Sequence, residues 1–517
     1  MASNLPDDNE QEQLLASLGY KQELKRTWSG FSNFAISFSV ISILSGCFTT
    51  FSQAWNNGGP IAISIGWPII SGFILIIGLS LAELASAYPT SGGIYWWAAH
   101  LGGPRAGFYA GWLNMIGLLA VTASVVYGAA TFLNIIICTW SPKYQASFLG
   151  GETIHQQFFW FVAIMVLITF LNCLKSEIQA IFNNISVWWH VGGSAAIIAV
   201  LWLTTDARQD SLWVFTAQIN NSGFTGDTMY WLYVLPLGFL LTQYTITGYD
   251  ASAHLAEESH GASLTAANGI WKSIFYSAIG GYILLLSLLY VANRPEVVSS
   301  FDPAVNPYGA GSAITILSLA LDPFFFKFVL VISGLGQLFC ATACLTSCSR
   351  MMYAFSRDGV VPGSSNWSKV NSNQVPVRAV LFSSVLGILM TLPALWKSPR
   401  GIPSAFYAVV SIGVIGLYLA FIIPIWLRWK AGDSFRPGIW NLGRHYRWMN
   451  LVAMAEIVVI SVYFILPFEP AGVPGDQEFS WIAVNYAPIL VGITCLLLWV
   501  WWRVSVRNWY HGPRKNV

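Results

Sequence analysis

Four ionisable side chains lie deep inside apolar runs of this chain: His190, Asp250, His254 and Glu456. A charge at the centre of a bilayer costs about 2.5–3.5 kcal/mol on insertion scales, so each of these groups asks for a chemical reason. Histidine titrates near neutrality and can carry a proton. His190 stands in Val187-Trp188-Trp189-His190-Val191-Gly192-Gly193-Ser194. It is a candidate proton carrier, with a neutral, hydrogen-bonded histidine as the alternative. His254 follows Asp250 by four residues, which places both on one helix face. The two could form a gate, or His254 could simply be solvated at the membrane edge. Asp250 could anchor freed backbone, take part in gating or coupling, or touch a bound molecule. Glu456 is expected to bond within the last helices or at a contact between subunits.

The second kind of chemistry is that of bare backbone. The stretch from Tyr230 to Glu258 opens as an apolar helix, Trp231 to Leu241, then turns polar at Thr242, Gln243, Tyr244, Thr245, Ile246, Thr247, Gly248, Tyr249 and Asp250. A helix in lipid hides its peptide groups inside itself, and an opening is tolerated only against protein or a water-filled cavity. Glycine among hydroxyls at mid-depth invites such an opening. A first apolar run behaves alike: Phe31 to Ile41 is followed by Ser42, Ile43, Leu44, Ser45, Gly46, Cys47, Phe48, Thr49 and Thr50. Paired interruptions in corresponding positions point to an inverted-repeat transport site, and their alternative is ordinary small-residue packing between membrane helices. Breaks are expected near Ser45 and near Gly248.

The elements that must position these residues are membrane helices. Of the 517 residues, 55% are hydrophobic and only 9% charged, against roughly 25% charged in soluble proteins. Spans need about 20 apolar residues. Twelve are expected, at 31–54, 61–82, 106–138, 157–174, 179–204, 230–256, 271–293, 325–355, 378–396, 403–428, 449–468 and 480–502. The breaks then fall in spans one and six, five spans apart, and an odd number of spans per unit inverts the second unit. The expected organisation is a tail at 1–26, a ten-helix core at 27–429, a loop with two further helices at 430–502, and a tail at 503–517. Residues 1–13 should be disordered, with Leu14, Leu15, Leu18 and Tyr20 on the membrane surface. The polar, acidic start gives no sign of a cleavable signal.

Orientation follows from lysine and arginine. With the N-terminus inside, 19 of the 25 basic residues fall in cytoplasmic segments. The other six are Lys143, Arg208, Arg294, Lys327, Lys397 and Arg400. Both termini are then cytoplasmic, in a multi-pass protein of the cell membrane. Net charge is +2, too small to suggest nucleic acid. The seven cysteines form no Cys-x-x-Cys pair, so neither zinc nor a disulfide framework is expected. Cys340, Cys344 and Cys348 share a face, as packing residues. No cofactor is implied. The spans hold no metalloprotease or nucleophile-elbow motif, which argues against an enzyme. Between spans two and three, Glu83 to Trp97 contains Tyr88-Pro89-Thr90-Ser91-Gly92-Gly93, a short helix or re-entrant turn. With Glu83 it could belong to an inner gate, or serve as an aromatic interface anchor.

Four stretches together resemble the amino acid–polyamine–organocation superfamily, and within it the amino acid/choline transporter branch that includes GABA permeases and bidirectional amino-acid transporters. They are Leu18-Gly19-Tyr20-Lys21-Gln22-Glu23-Leu24, Tyr88 to Gly93, Thr247 to Glu258, and Ser349-Arg350-Met351-Met352-Tyr353-Ala354-Phe355-Ser356-Arg357-Asp358-Gly359. The resemblance implies an all-α, leucine-transporter-like core of two inverted five-helix repeats plus two added helices. It implies an amino-acid-like substrate between spans one and six, with Tyr244 at the place of an aromatic lid. Span five, with His190, would face a sodium ion or a titrating residue. Leu44-Ser45-Gly46 stands where the family carries glycine–small–glycine, so the first glycine is absent here.

A zwitterion brings a carboxylate and an ammonium. The carboxylate suits a half-helix N-terminus, where free N–H groups and the dipole point at it; Ser45 and Gly46 could supply that cradle, beside Leu44. The ammonium suits carbonyls near Ser42 and along Tyr244–Thr247, with Gln243, Thr245, Thr247 and Gly248 around them. The expectation is secondary transport of a small amino acid, GABA foremost, with a proton (or sodium) as coupling ion. Exchange, facilitated passage, choline or polyamine transport, and a non-transporting sensor share most of these features.

Overall fold

The computed structural model describes residues 7–395, 404–481 and 483–514. Lys397, Arg400, Lys515, the first six residues and the start of the tenth expected span lie outside the described residues. Apolar runs form helices because a helix satisfies its own backbone. Eleven are long and apolar enough to cross a membrane. The stretch from Asp227 to Glu258 is instead a series of short helical pieces.

In chain order the elements that matter are α1 (Asp8–Ser17), α2 (Gly30–Ile41), α3 (Ile43–Thr49), α4 (Gly66–Ala87), α5 (Gly93–Trp140), α6 (Thr153–Asn172) and α7 (Ser176–Thr204). Then come α8 (Leu240–Thr245), α9 (Ala251–His254), α10 (Ala262–Tyr290) and α11 (Pro323–Arg357), followed by α12 (Val377–Thr391), α13 (Ser404–Ala431), α14 (Tyr446–Ile465) and α15 (Ala487–Val504). Local chemistry sets several starts. Ser29 accepts from the Ser32 N–H at 3.1 Å to open α2. Asp322 accepts from the Phe324 and Phe325 N–H groups, ahead of Pro323 at the first position of α11, as N-caps do.

Three expectations change. Residues 8–17 are not disordered: they form α1, with Leu15 and Tyr20 buried in protein rather than laid on a membrane surface. Asp8 bonds His260 at 2.7 Å, and Gln11 accepts from both the backbone and the hydroxyl of Ser263. These polar partners 252 residues away were invisible to a local reading of an acidic segment. The short helix after Gly93 runs directly into the third long helix, with only a kink at Gly103 (φ 81°) and Pro104 between them. The last helix starts seven residues later than 480, because Asn485 bonds back to the Phe464 and Leu466 carbonyls and Pro488 sits in the first turn of α15.

The two ends of the bundle are held differently. At one end an antiparallel pair, Asn57–Gly58 with Ile219–Asn220, ties two loops. At the other, the segments before α2 and after α15 meet: the Tyr20 hydroxyl and the Arg514 N–H both donate to Asp358, at 2.8 and 3.1 Å. Both terminal segments therefore lie at the same end.

Candidate functional site

Helix α2 ends at Ser42, whose φ of 38° and ψ of 86° lie in left-handed space that a residue with a side chain seldom occupies. The chain resumes as α3 one residue later. The first N–H groups of α3 and the last carbonyls of α2 thus lose their helical partners. Side chains re-bond part of this gap. The Cys340 thiol lies 3.1 Å from the Val40 carbonyl, and the Ser333 hydroxyl donates to the Leu44 carbonyl at 2.7 Å. His190 Nε2 lies 2.7 Å from the Ser42 hydroxyl, and Nδ1 lies 2.7 Å from the Ser186 carbonyl. A carbonyl only accepts, so Nδ1 carries the hydrogen and, in a neutral ring, Nε2 accepts from Ser42.

The second break spans five residues, Ile246 to Asp250, between α8 and α9. Gly248 supplies the positive φ, 84°, which glycine adopts without steric cost. The two breaks touch. A Cβ on Gly248 would fall 2.2 Å from Val40 Cγ1, just before the first break. A Cβ on Gly46 would fall 2.7 Å from the Thr245 backbone and closer still to its side chain. Glycine at both places lets the chains approach. Beyond the breaks, α2 and α9 are laced together: Ser37 donates to the Tyr249 carbonyl, and Asn33 binds the Ser252 carbonyl at 3.0 Å and Ser259 at 2.8 Å.

The structure brings Ser42, Ser45, Gly46, Thr245, Thr247, Gly248 and His190 into one buried region. The Ser45 hydroxyl there has no hydrogen-bond partner. Leu44 offers backbone only, since its side chain packs towards Gly193 and Gly336. Tyr244 reaches Ser124 at 3.0 Å, so a third helix contributes. Gln243 turns away, to Tyr418 at 2.6 Å and to Glu456. Glu456 therefore bonds the broken stretch rather than only the last two helices.

Asp250 and His254 do pair, 3.2 Å apart and fully buried. The other ring nitrogen of His254 faces the Ser91 carbonyl at 3.2 Å. Filling both bonds takes a hydrogen on each nitrogen, or a protonated Asp250; the pair then holds one proton more than neutral imidazole plus carboxylate. Asn114 also donates to Asp250, whose second oxygen is buried and unpartnered. The Ser91 N–H donates to Glu257, which takes a two-pronged bond from Arg357 at 2.9 and 3.0 Å. Glu258 pairs with Arg350 at 2.8 Å, both fully buried. Tyr20 lies under the Arg357 guanidinium at 4.0 Å. Burial pushes the Asp358 carboxyl up to about 6, against the opposing pull of Arg357 and Tyr20. Glu83 stands apart, paired with Arg428 at 2.8 Å, whose guanidinium lies between Phe435 and Tyr446.

Sequence reasoning missed Ser124, Ser333, Gln337 and Cys340. Ser333 and Gln337 bond each other at 3.3 Å across one turn of α11, and the Gln337 carbonyl oxygen is buried and unpartnered. A polar pair four apart in an apolar helix was the available signal.

Comparison with known proteins gives the family. A family model described as amino acid permease matches residues 29–495. Amino-acid permease BAT1 of Arabidopsis thaliana is 37% identical over 97% of this chain and 96% of its own. The GABA-specific permease of Saccharomyces cerevisiae is 28% identical, covering 98% of this chain and 86% of its own. A putative polyamine transporter of Candida albicans is 27% identical, covering 98% and 89%. The chain belongs to the amino acid permease family, within the amino acid–polyamine–organocation superfamily. It is a multi-pass membrane permease and not an enzyme.

Proposed function

We propose that this permease moves a small amino acid, with a GABA-like zwitterion favoured, across the cell membrane by alternating access coupled to protons. The observation that carries the reading is the contact of the two breaks, Gly46 on Thr245 and Gly248 on Val40. Two interrupted helices meeting inside a bundle offer free N–H groups to a carboxylate and free carbonyls to an ammonium. Counting the pieces from 227 to 258 as one interrupted span gives twelve, with a leucine-transporter-like inverted repeat in the first ten. The end that holds both termini would be cytoplasmic, and its ion pairs would close the inner path. Asp250 and His254 would open it.

His190 is the proton carrier in this reading. A second proton on its ring would make Nε2 a donor, so the Ser42 hydroxyl would have to turn from donor to acceptor. That ties the proton to the first break. The supporting relatives are amino-acid and GABA permeases by name. A thermal-shift screen against amino acids, GABA, choline and polyamines names the substrate class, since ligands that bind the folded state stabilise it. Counterflow in proteoliposomes, with and without a proton gradient, then separates symport from exchange. His190→Ala should lose accumulation against a gradient; full accumulation with an unchanged pH profile would remove the coupling claim.

A further inference from the structure

The sixth stretch has a second polar face, turned away from the substrate region. Gln243, in the last turns of α8 before the break, donates its amide to Glu456 on α14 and accepts from the Tyr418 hydroxyl on α13 at 2.6 Å. The Thr247 hydroxyl, inside the break, donates to the Gln243 backbone carbonyl. The second carboxyl oxygen of Glu456 is buried and has no partner. Tyr249, also in the break, has a buried hydroxyl that interacts with Tyr418 and feels the charge of Glu456.

We propose that Glu456 is a second proton site of the transport cycle, linked through Gln243 to the opening and closing of the broken stretch. This rests on the proton-coupled reading above. A carboxyl group in a membrane helix needs a partner or a role, and no ion pair among the described residues includes Glu456. The titratable groups that face it are Tyr418 from α13 and Tyr249 from the break. Helix α4 brings only Glu83, which Arg428 neutralises at the far end. Helix α15 carries no carboxylate, histidine, lysine or arginine before Arg503, only the exposed thiol of Cys495.

The two charge states place different demands on the same bonds. As a carboxylate, Glu456 draws a charge-assisted bond from Gln243, and α8 is held against α14. As a neutral acid, it loosens that bond and gains one O–H donor, and the hold of α14 on α8 weakens. The proton comes from water on one side of the membrane and returns to water on the other; no other bond is made or broken. Helix α14 then acts as more than an added span: it holds a sensor against the last turn before the second break.

The test uses full-length protein in proteoliposomes with labelled GABA, alanine and arginine. Wild-type protein should accumulate at least one of these in response to an imposed proton gradient. Glu456→Gln keeps the shape and the Gln243 bond but cannot ionise. It should lose gradient-driven accumulation and flatten the pH profile of uptake, while counterflow continues. Unchanged accumulation and pH profile in this variant, with wild type responding, would overturn the role of Glu456 and leave proton coupling standing. No gradient response in wild type would overturn both. Should Glu456→Gln also lose counterflow, Glu456→Asp decides: restored gradient-driven uptake upholds the site, and no restoration overturns it.

Discussion

The chain breaks at the single residue Ser42 on one side of the site and across Ile246–Asp250 on the other, and the two gaps are filled differently. Around Ser42, neighbouring helices supply side chains on the spot: Cys340 to the Val40 carbonyl, Ser333 to the Leu44 carbonyl, His190 to the Ser42 hydroxyl. Around Gly248 the longer gap is bonded from α2 and from within the stretch itself: Ser37 donates to the Tyr249 carbonyl and Thr247 to the Gln243 carbonyl. One oxygen of Asp250 is buried without a partner here, as the Ser45 hydroxyl is beside the first break. The bracing of this second break lies further along, where Glu257 and Glu258 are held by Arg357 and Arg350. A short gap braced on the spot suits a fixed half of a site. A long gap held at a distance suits the half that moves.

The largest expected effect tests that distant bracing. Removing one partner of a buried ion pair costs about 3–5 kcal/mol, because the other charge is left uncompensated. Arg350→Ala strands Glu258, which keeps only its bond from Ser176. Thermal stability should drop by several degrees or more, and a cysteine introduced at buried Ala253 on α9 should become reactive to thiol reagents added from the terminal end. An equivalent loss from Ser333→Ala, which touches only the first break, would erase the contrast.

Next come the glycines. Overpacking a close approach costs about 1–3 kcal/mol. Gly46→Val and Gly248→Val should both abolish uptake, and Gly248→Val should be the less stable, since its positive φ adds strain. Gly192, with open space where a Cβ would go, is the control: Gly192→Ala should transport normally. Wild-type uptake by Gly46→Val would separate the breaks and end the argument for a shared site.

Much of this was legible before any coordinates. The hydroxyl-and-glycine run at 242–250 placed the second break near Gly248, which lies at the middle of the observed gap, because glycine there takes a positive φ at no steric cost. The first break was placed three residues late. Glycine at position 46 drew the reading, yet it serves close packing on Thr245, and a serine with tertiary support adopts the left-handed turn. Support of that kind cannot be seen locally: His190 and Ser42 are 148 residues apart. The same limit hid α1, whose polar partners begin at His260. It also hid the turn of Gln243 away from the substrate region, since a helix face can be read from spacing but not which neighbour covers it.

A smaller effect sharpens the view of the first break as fixed. Ser42→Gly relieves a left-handed backbone, worth roughly 1–2 kcal/mol. It also removes the His190 bond, worth about 0.5–1.5 kcal/mol. The two nearly cancel, so stability should change little while the pH profile of uptake shifts. A profile identical to wild type would show that His190 does not act through Ser42.

The last effect is one of pH, at the terminal end of the second broken stretch. Asp358 is held up to about 6 by burial, above the ordinary value near 3.8. The folded state therefore binds this proton more tightly than the unfolded chain does. Below about pH 4 the carboxyl is neutral in both states and carries no penalty. As pH rises through 6 the folded protein must ionise it in place, and stability is lost. Acidification from pH 7 to 5 should thus tighten the junction of Tyr20, Asp358 and Arg514. In Asp358→Asn the side chain is neutral at every pH and can still accept from Tyr20. The difference in thermal midpoint between wild type and this variant should change between pH 4 and 6 and be flat above. Parallel curves across that window would mean that the junction at the terminal end is blind to pH, and that its hold on the moving half is purely one of packing.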